Sequence, residues 1–207
     1  MCGRYNISKL QRFLEIHQWI QGTIDFAPHY NAAPTQMLPV VTAAGKLELF
    51  KWGLIPHWAK DAAIGSRMIN ARAETLAEKP AFKKLLATQR CLVPANGFYE
   101  WQKAGKNKIP HYIALANGEP LAFAGLWDRW HGPDGIIHSF TIITTTPNAL
   151  VGAIHDRMPA IVPPDQHRAW LAGPLPLGPY AVDQMTERAI SPLVNSPRHD
   201  GPEILAS

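Results

Sequence analysis

The sequence predicts an α+β fold: a single compact domain of antiparallel β-sheets, barrel-like, with short flanking helices. The chain has 207 residues, 46% of them hydrophobic, which is enough for one sizeable core. Nineteen prolines and fifteen glycines divide it into many short elements. The apolar pattern is rich in strands with helices inserted and lacks a regular strand–helix alternation, which favours antiparallel sheet. We expect one domain over residues 1–207, with a loosely packed tail from about residue 196.

Helices are predicted where apolar residues recur at helical spacing beside capping residues. The first has a capping box of Ser8 and Gln11 and ends at Gly22, and the second starts at Pro80, which suits a first helical turn. The full set of predicted helices is 8–22, 80–89, 148–154 and 164–171.

Strands are predicted where β-branched and aromatic residues cluster between turn residues. Asn117-Gly118 is a strong signal for a two-residue hairpin. Residues 24–35 read as irregular, and the Pro-rich stretch from Gly173 gives no assignment. The predicted strands are 36–42, 47–52, 90–93, 98–102, 109–115, 121–127, 138–144 and 158–162.

Composition narrows the function classes. A net charge of +4 is a mild bias toward anionic partners, nucleic acid included. No apolar run predicts a membrane span and no signal peptide is recognisable, so we expect a cytoplasmic protein. The two cysteines, Cys2 and Cys91, make no disulfide framework, and Cys91 reads as a buried structural thiol. No Cys/His spacing resembles a zinc site, so we expect no metal and no cofactor.

Cys2 is the most informative residue, because it directly follows the initiator Met1. Initiator methionine is usually removed before a small side chain, and the mature chain would then begin with cysteine. An N-terminal cysteine carries an amine and a thiol on adjacent carbons. Together they trap aldehydes, since the amine forms an imine and the thiolate closes onto it to give a thiazolidine.

Asn70 and Arg72 share one face if their segment is extended. The Asn70 amide could then hold a hydroxyl or carbonyl group, and Arg72 could grip a phosphate. The plainer alternative is a polar strand face.

Glu100 lies within Phe98-Tyr99-Glu100-Trp101, among aromatic residues. Desolvation there would raise its pKa and suit it to proton transfer. The alternative is a glutamate on an edge strand facing water.

His155 follows a predicted helix and could act as acid or base near neutral pH, although a lone histidine is usually structural. Arg4 could steer a phosphate toward Cys2. Trp52 and Trp58 belong to a tryptophan-rich set for which core packing is the commoner use. Trp58, in an apparent loop, is the best candidate for stacking on an unpaired base.

Six segments, in this order, resemble the SOS-response-associated peptidase family, whose SRAP domains shield abasic sites in single-stranded DNA. They span roughly residues 2 to 195, although the part around 192–195 matches only loosely. The segments are Met1-Cys2-Gly3-Arg4, Tyr30-Asn31-Ala32-Ala33-Pro34, Trp52-Gly53-Leu54-Ile55-Pro56, Ile69-Asn70-Ala71-Arg72-Ala73-Glu74, Gly97-Phe98-Tyr99-Glu100-Trp101 and Ile154-His155-Asp156-Arg157-Met158-Pro159.

The resemblance implies that Cys2 captures the ring-opened aldehyde of an abasic site as a Schiff base and then as a thiazolidine crosslink. It implies that Glu100 transfers protons, that His155 assists ring opening and that Asn70 positions Cys2 and the lesion. For DNA binding it implies phosphate contacts by Arg4 and Arg72, a strand path lined by Asn31 and Trp52, and an aromatic contact at Trp58.

Two alternatives stay open. Cys2 with Glu100 and His155 could form a thiol peptidase, one of whose activities would be removal of Met1. The chain could instead be a non-catalytic module that binds single-stranded DNA. The expected partner is abasic single-stranded DNA and the expected state is a monomer.

Overall fold

The computed structural model describes residues 2–206, which form two β-sheets flanked by four short helices. The helices are α1 Leu10–Ile16, α2 Pro80–Thr88, α3 Ala149–Gly152 and α4 His167–Ala172. The strands are β1 Tyr5–Ile7, β2 His29–Ala32, β3 Met37–Thr42, β4 Leu47–Trp52, β5 Asn70–Arg72, β6 Arg90–Ala95, β7 Gly97–Ala104, β8 Asn107–Leu115, β9 Leu121–Gly132, β10 Gly135–Thr145, β11 Met158–Pro159 and β12 Met185–Ala189.

Five strands close into a barrel, in the order β10-β4-β3-β6-β9 and back to β10. Every pair in this ring is antiparallel except β10 with β4. The short β5 also runs parallel to β10, and β11 pairs with the end of β10. The second sheet, in the order β12-β8-β7-β1-β2, is antiparallel throughout. The predicted fold class is confirmed.

The barrel core is aromatic, and β1 closes onto it. The Tyr5 ring lies 5.2 Å from that of Trp52 and 5.8 Å from that of Phe123, measured between centroids. All three side chains are fully buried. Gly125 on β9 allows close packing, because a Cβ there would come within 2.9 Å of the Cys91 sulfur. Burial on this scale favours folding by roughly 1.5–3 kcal/mol per large apolar side chain.

The structure corrects two sequence predictions about local elements. The first helix starts later and ends earlier than 8–22, and Ser8 does not cap it, because the N-cap position is occupied by Lys9, whose side chain makes no capping hydrogen bond. Asn117-Gly118 forms a turn, but it joins β8 and β9, which belong to different sheets. The other predicted strands and helices are present. The five strands β6 to β10 are longer than predicted, whereas α2, α3 and β3 are shorter, and the strand predicted at 158–162 is reduced to Met158–Pro159.

Three strands of the second sheet, β1, β2 and β12, were not predicted. Of these, β1 matters most, because its pairing with β7 brings the start of the chain beside the central strand of this sheet. Within residues 2–206, no helix has the length and apolar character needed to cross a membrane.

The segment after residue 194 returns to β2 and is held there. The buried Asn31 side chain donates hydrogen bonds to the carbonyls of Val194, Ser196 and His199 at 3.2, 3.1 and 2.8 Å. Ile204 is fully buried in a small cluster with Tyr99. This part of the chain is therefore tied to the sheet that carries β1.

Candidate active site

Cys2 lies beside β7 because of the register between β1 and β7. Tyr5 pairs with Phe98, and the backbone N–H of Tyr99 donates to the Arg4 carbonyl at 3.1 Å. Continuing this antiparallel register sets Gly3 opposite Glu100. The three-residue strand β1 thus places Cys2, the first described residue, beside Glu100, the predicted proton-transfer group.

The Cys2 side chain is wholly buried, with 0% of it exposed, and its sulfur lies 3.8 Å from the Arg4 carbonyl. Burial, followed by the nearby Glu100 carboxyl, raises the pKa of the Cys2 thiol far above its usual range. The sulfur is therefore held as a thiol, and a base must remove its proton before it can attack.

Asn70 connects Cys2 to the barrel. Its segment is extended, which is the condition under which Asn70 and Arg72 share one face, because β5 runs parallel to β10 with Asn70 opposite Ile142. The Asn70 side-chain amide donates a 2.9 Å hydrogen bond to the Cys2 carbonyl. Its Oδ1 is buried and has no hydrogen-bond partner among residues 2–206, so an acceptor remains available beside Cys2.

Glu100 is 2% exposed, and the prediction that it is desolvated agrees with this position. Burial is the main reason that the pKa of the Glu100 carboxyl is raised, while the charge of His155 works in the opposite direction. The carboxyl therefore retains its proton to a higher pH than an exposed glutamate would, which suits a group that both gives and takes protons.

His155 faces Glu100, with its Nε2 4.0 Å from a Glu100 carboxylate oxygen. The backbone N–H of Arg157 donates to the other ring nitrogen, Nδ1, at 3.0 Å. In the neutral ring this bond leaves the proton on Nε2, the nitrogen on the Glu100 side. The exposed Asp156 carboxylate lies 2.9 Å from Nδ1 and can take over as its partner if the ring becomes protonated.

The five residues predicted to contact DNA fall into two groups. Arg72 is exposed, and so is Trp58, whose side chain is 54% accessible. Asn31 and Trp52 are instead fully buried, and Arg4 is half-buried. One Arg4 nitrogen donates to Asn31 Oδ1 at 2.9 Å and to the Val194 carbonyl at 3.0 Å.

Neither Asn31 nor Trp52 presents a surface to a ligand in this structure. Both are fully buried, and the Trp52 indole N–H donates to the Ile69 carbonyl at 3.0 Å. The prediction that a DNA strand passes along these two residues stays a prediction. The contacts that the structure shows for both side chains hold parts of the protein backbone in place. Trp52 fixes the segment that leads into Asn70.

An open cavity of about 700 Å³ leads to the Glu100–His155 pair. Its walls include Trp101, Asn195 and lysines of the β7–β8 hairpin. The Trp101 indole N–H donates to Asn195 Oδ1 at 2.7 Å, which fixes the ring on the wall. No group of three or more side chains suited to a metal ion occurs in residues 2–206.

Sequence reasoning missed the pair of Glu74 and Arg157, although both lie in the segments that carry the resemblance. The Arg157 guanidinium contacts both Glu74 carboxylate oxygens, at 2.8 and 2.9 Å, and donates to the Thr144 carbonyl at 2.7 Å. The planar Arg157 guanidinium acts here as a fork that holds two partners at once. This fork joins the loop that carries His155 to the segment after Asn70. An Arg and a Glu in two separate motifs are a signal for such a pair, but only the fold shows which partners meet.

A small barrel with a cysteine at the head of β1, set among an amide, a carboxyl and an imidazole, defines a class of protein with solved members. A crystal structure of a protein from Bacteroides thetaiotaomicron superposes with a TM-score of 0.90 and 29% identity, covering 99% of this chain and 98% of that one. The crystal structure of a phage-related protein from Bordetella bronchiseptica gives a TM-score of 0.67 and 28% identity, covering 91% of this chain and 94% of that one.

Residues 1–197 match the SOS response associated peptidase (SRAP) family, and the chain belongs to that family. It is 42% identical, over 100% of both chains, to the abasic site processing protein YoqW of Bacillus subtilis (strain 168). It is also 32% identical to the abasic site processing protein HMCES of Xenopus tropicalis, covering 91% of this chain and 69% of that protein.

Proposed function

We propose that this protein processes abasic sites in single-stranded DNA by forming a thiazolidine crosslink through Cys2 after Met1 has been removed. The observation that carries the proposal is the position of Cys2, held by Asn70, beside Glu100 and His155, the two residues of the group that line an open cavity. The names of the SRAP relatives support the same substrate.

In the proposed reaction, the freed α-amine of Cys2 attacks the aldehyde carbon of the open-chain sugar. The addition gives a carbinolamine, and protonated Glu100 gives its proton to the departing hydroxyl, so water leaves and a protonated imine forms. Glu100, now a carboxylate, accepts the thiol proton as the sulfur adds to the carbon of this protonated imine, whose nitrogen becomes neutral and keeps its own proton. The net change is aldehyde plus aminothiol giving thiazolidine plus water.

The raised pKa values fit these two roles. Burial raises the pKa of Glu100, so this carboxyl can begin as an acid, and burial raises the pKa of the Cys2 thiol, so this thiol needs a base. His155, with a proton on Nε2, would hydrogen-bond the sugar ring oxygen and promote opening. Asn70 would hold the Cys2 backbone while the sulfur and the amine react.

Closing the ring would protect the DNA, because an open imine promotes β-elimination and strand cleavage. Arg72 and Arg4 would hold flanking phosphates, and Trp58 would stack on a base. Such contacts suit a protein that binds DNA without recognising its base sequence. We propose that the protein acts as a monomer in the cytoplasm, associated with the nucleoid when bound to DNA.

The test is to incubate the purified protein with single-stranded DNA carrying one abasic site, followed by a denaturing gel and intact mass analysis. We expect an adduct whose mass equals the protein without Met1 plus the oligonucleotide minus one water. Borohydride reduces an imine but leaves a thiazolidine unchanged, so treatment after the reaction should not alter the adduct mass.

Controls separate the alternatives. Undamaged DNA, or a protein whose N-terminus carries an uncleaved tag, should give no adduct, because only a free amine forms the imine. Peptide cleavage without an adduct would favour the thiol peptidase. Tight DNA binding without an adduct would favour the non-covalent module. The mass of the protein before DNA is added shows whether Met1 is removed. The same measurement on a Cys2→Ala variant shows whether the Cys2 thiol takes part in that removal.

A further inference from the structure

The hairpin between β7 and β8 carries three lysines on the wall of the active-site cavity. Lys103 on β7 pairs directly with Lys108 on β8, and Lys106 lies in the turn between them. All three are exposed, and all three line the cavity that reaches Glu100 and His155. Gly105, with a φ of +62°, makes the tight turn that brings them together.

This arrangement opposes folding of the hairpin. Like charges directly opposite each other on antiparallel strands repel and are destabilising. None of the ion pairs among residues 2–206 includes Lys103, Lys106 or Lys108. The repulsion between these lysines is therefore not offset by an ion pair within the described residues. An unfavourable interaction of this kind points to a ligand that supplies negative charge.

The three lysines line the same cavity as Glu100 and His155. Successive β7 side chains alternate, so Glu100 lies on one face and Trp101 and Lys103 on the other. β1 pairs with β7 only at Gly97 and Phe98, whereas β7 continues to Ala104, and the cavity is lined by side chains from both faces of this continuation. An anion bound by the lysines would thus continue directly to the Glu100–His155 pair, past the fixed Trp101 ring.

Resting on the proposed function, we propose that Lys103, Lys106 and Lys108 bind the phosphodiester backbone on one flank of the abasic site and lead that flank past Trp101 into the cavity. Lysine ammonium groups bind phosphates as point charges without sequence preference. The site is separate from Arg72 and Trp58, which lie outside this cavity. The hairpin therefore serves nucleotides on only one side of the lesion.

The test compares a Lys103→Gln, Lys106→Gln, Lys108→Gln triple variant with a control that loses three exposed lysines elsewhere, Lys46→Gln, Lys83→Gln, Lys84→Gln. Affinity for a labelled undamaged single strand is measured over a salt series. Each lost phosphate contact lowers the slope of log affinity against log salt by about 0.7, so the hairpin variant should lose about 2 units of slope and roughly tenfold in affinity. The control should keep the wild-type slope.

A second measurement uses two short abasic oligonucleotides, one extending only to the 5′ side of the lesion and the other only to the 3′ side. The hairpin variant should crosslink one of them several-fold more slowly and the other at the wild-type rate. Removing the repulsion should leave its melting temperature equal or higher, which excludes misfolding.

An unchanged salt slope, an equal loss in the control, or equal slowing on both oligonucleotides would overturn the inference. Failure of the wild-type protein to form any crosslink would instead reject the proposed function, and the salt series would still test the phosphate contacts.

Discussion

The side-chain amide of Asn70 donates a 2.9 Å hydrogen bond to the carbonyl of Cys2, joining β5 of the barrel to the start of the chain. We propose that the barrel positions Cys2 for reaction through this bond. Replacing Asn70 with Ala removes the donor, and a lost hydrogen bond of about 1.4 kcal/mol corresponds to roughly tenfold. We expect the crosslinking rate to fall by about that factor while affinity for undamaged DNA stays unchanged, as single-turnover kinetics and fluorescence anisotropy would show. A fall in affinity with an unchanged rate would contradict the positioning role.

Cys2→Ala should abolish the heat-stable adduct and keep affinity for DNA, because an amine without the thiol stops at the imine. The measurement is a denaturing gel after heating. Cys91→Ala is the matched control, since it removes the other buried thiol, which lies in the barrel. A heat-stable adduct with Cys2→Ala would rule out ring closure by the sulfur.

Glu100→Gln should stabilise the protein at pH 8 and slow crosslinking. The folded-state pKa of Glu100 is raised, mainly by burial, so stability from this group is full below its unfolded pKa and is lost as pH rises through the folded value. Glutamine avoids that loss, so its gain in melting temperature should grow from pH 4 to pH 8.

Glu119→Gln provides a control of opposite sign for this measurement. The Arg12 guanidinium hydrogen-bonds the exposed Glu119 carboxyl and lowers its pKa, so removing the charge should not stabilise the protein at pH 8. If Glu100→Gln is destabilising at pH 8, the buried carboxyl is not held at an energetic cost.

Two histidines that pack against each other between α1 and α4 should make the fold sensitive to acid. The rings of His17 and His167 lie 4.6 Å apart, and His167 contacts the Val162 carbonyl through Nε2. Burial, then the neighbouring His17, lowers the pKa of His167 to about 4. The unfolded chain takes up the proton first, so stability falls between about pH 6.5 and about 4, by about 3 kcal/mol.

Urea unfolding at pH 7 and pH 5 measures this loss. His167→Gln can keep a donor toward Val162 but does not titrate, so its loss between the two pH values should be clearly smaller. An unchanged loss in that variant would assign the acid sensitivity to other groups.

Arg157→Lys should slow crosslinking more than it weakens DNA binding. Lysine keeps the charge but not the planar fork that contacts Glu74 and Thr144 together. The His155 loop would then be less well fixed, and we expect a several-fold lower rate measured at saturating DNA. Glu74→Gln keeps an acceptor for the fork and should have a smaller effect. A larger effect for Glu74→Gln would show that the charge matters more than the fork.

The sequence was informative where structure is local. Apolar residues and turn residues predicted the strands of the barrel, whereas the sequence left open whether Asn70–Arg72 is extended. The three-residue β1 has no periodicity to detect and exists only because β7 and β2 pair with it. Asn117-Gly118 misled because a turn signal does not say which sheet the next strand joins.

The same distinction holds for the site. Motifs and resemblance indicated Cys2, Asn70, Glu100 and His155, and the structure brings them together. Burial of Asn31 and Trp52 depends on long-range packing, since Asn31 meets carbonyls more than 160 positions away. No local pattern could assign those contacts.

The enclosed, protonated state of the Cys2 sulfur has a consequence for how the protein persists before it meets damage. Peroxides and other soluble oxidants react with accessible thiolates, and this sulfur is neither accessible nor ionised. The nucleophile that we propose would, in this protonated and enclosed form, be protected from oxidation and remain intact until a lesion reaches it.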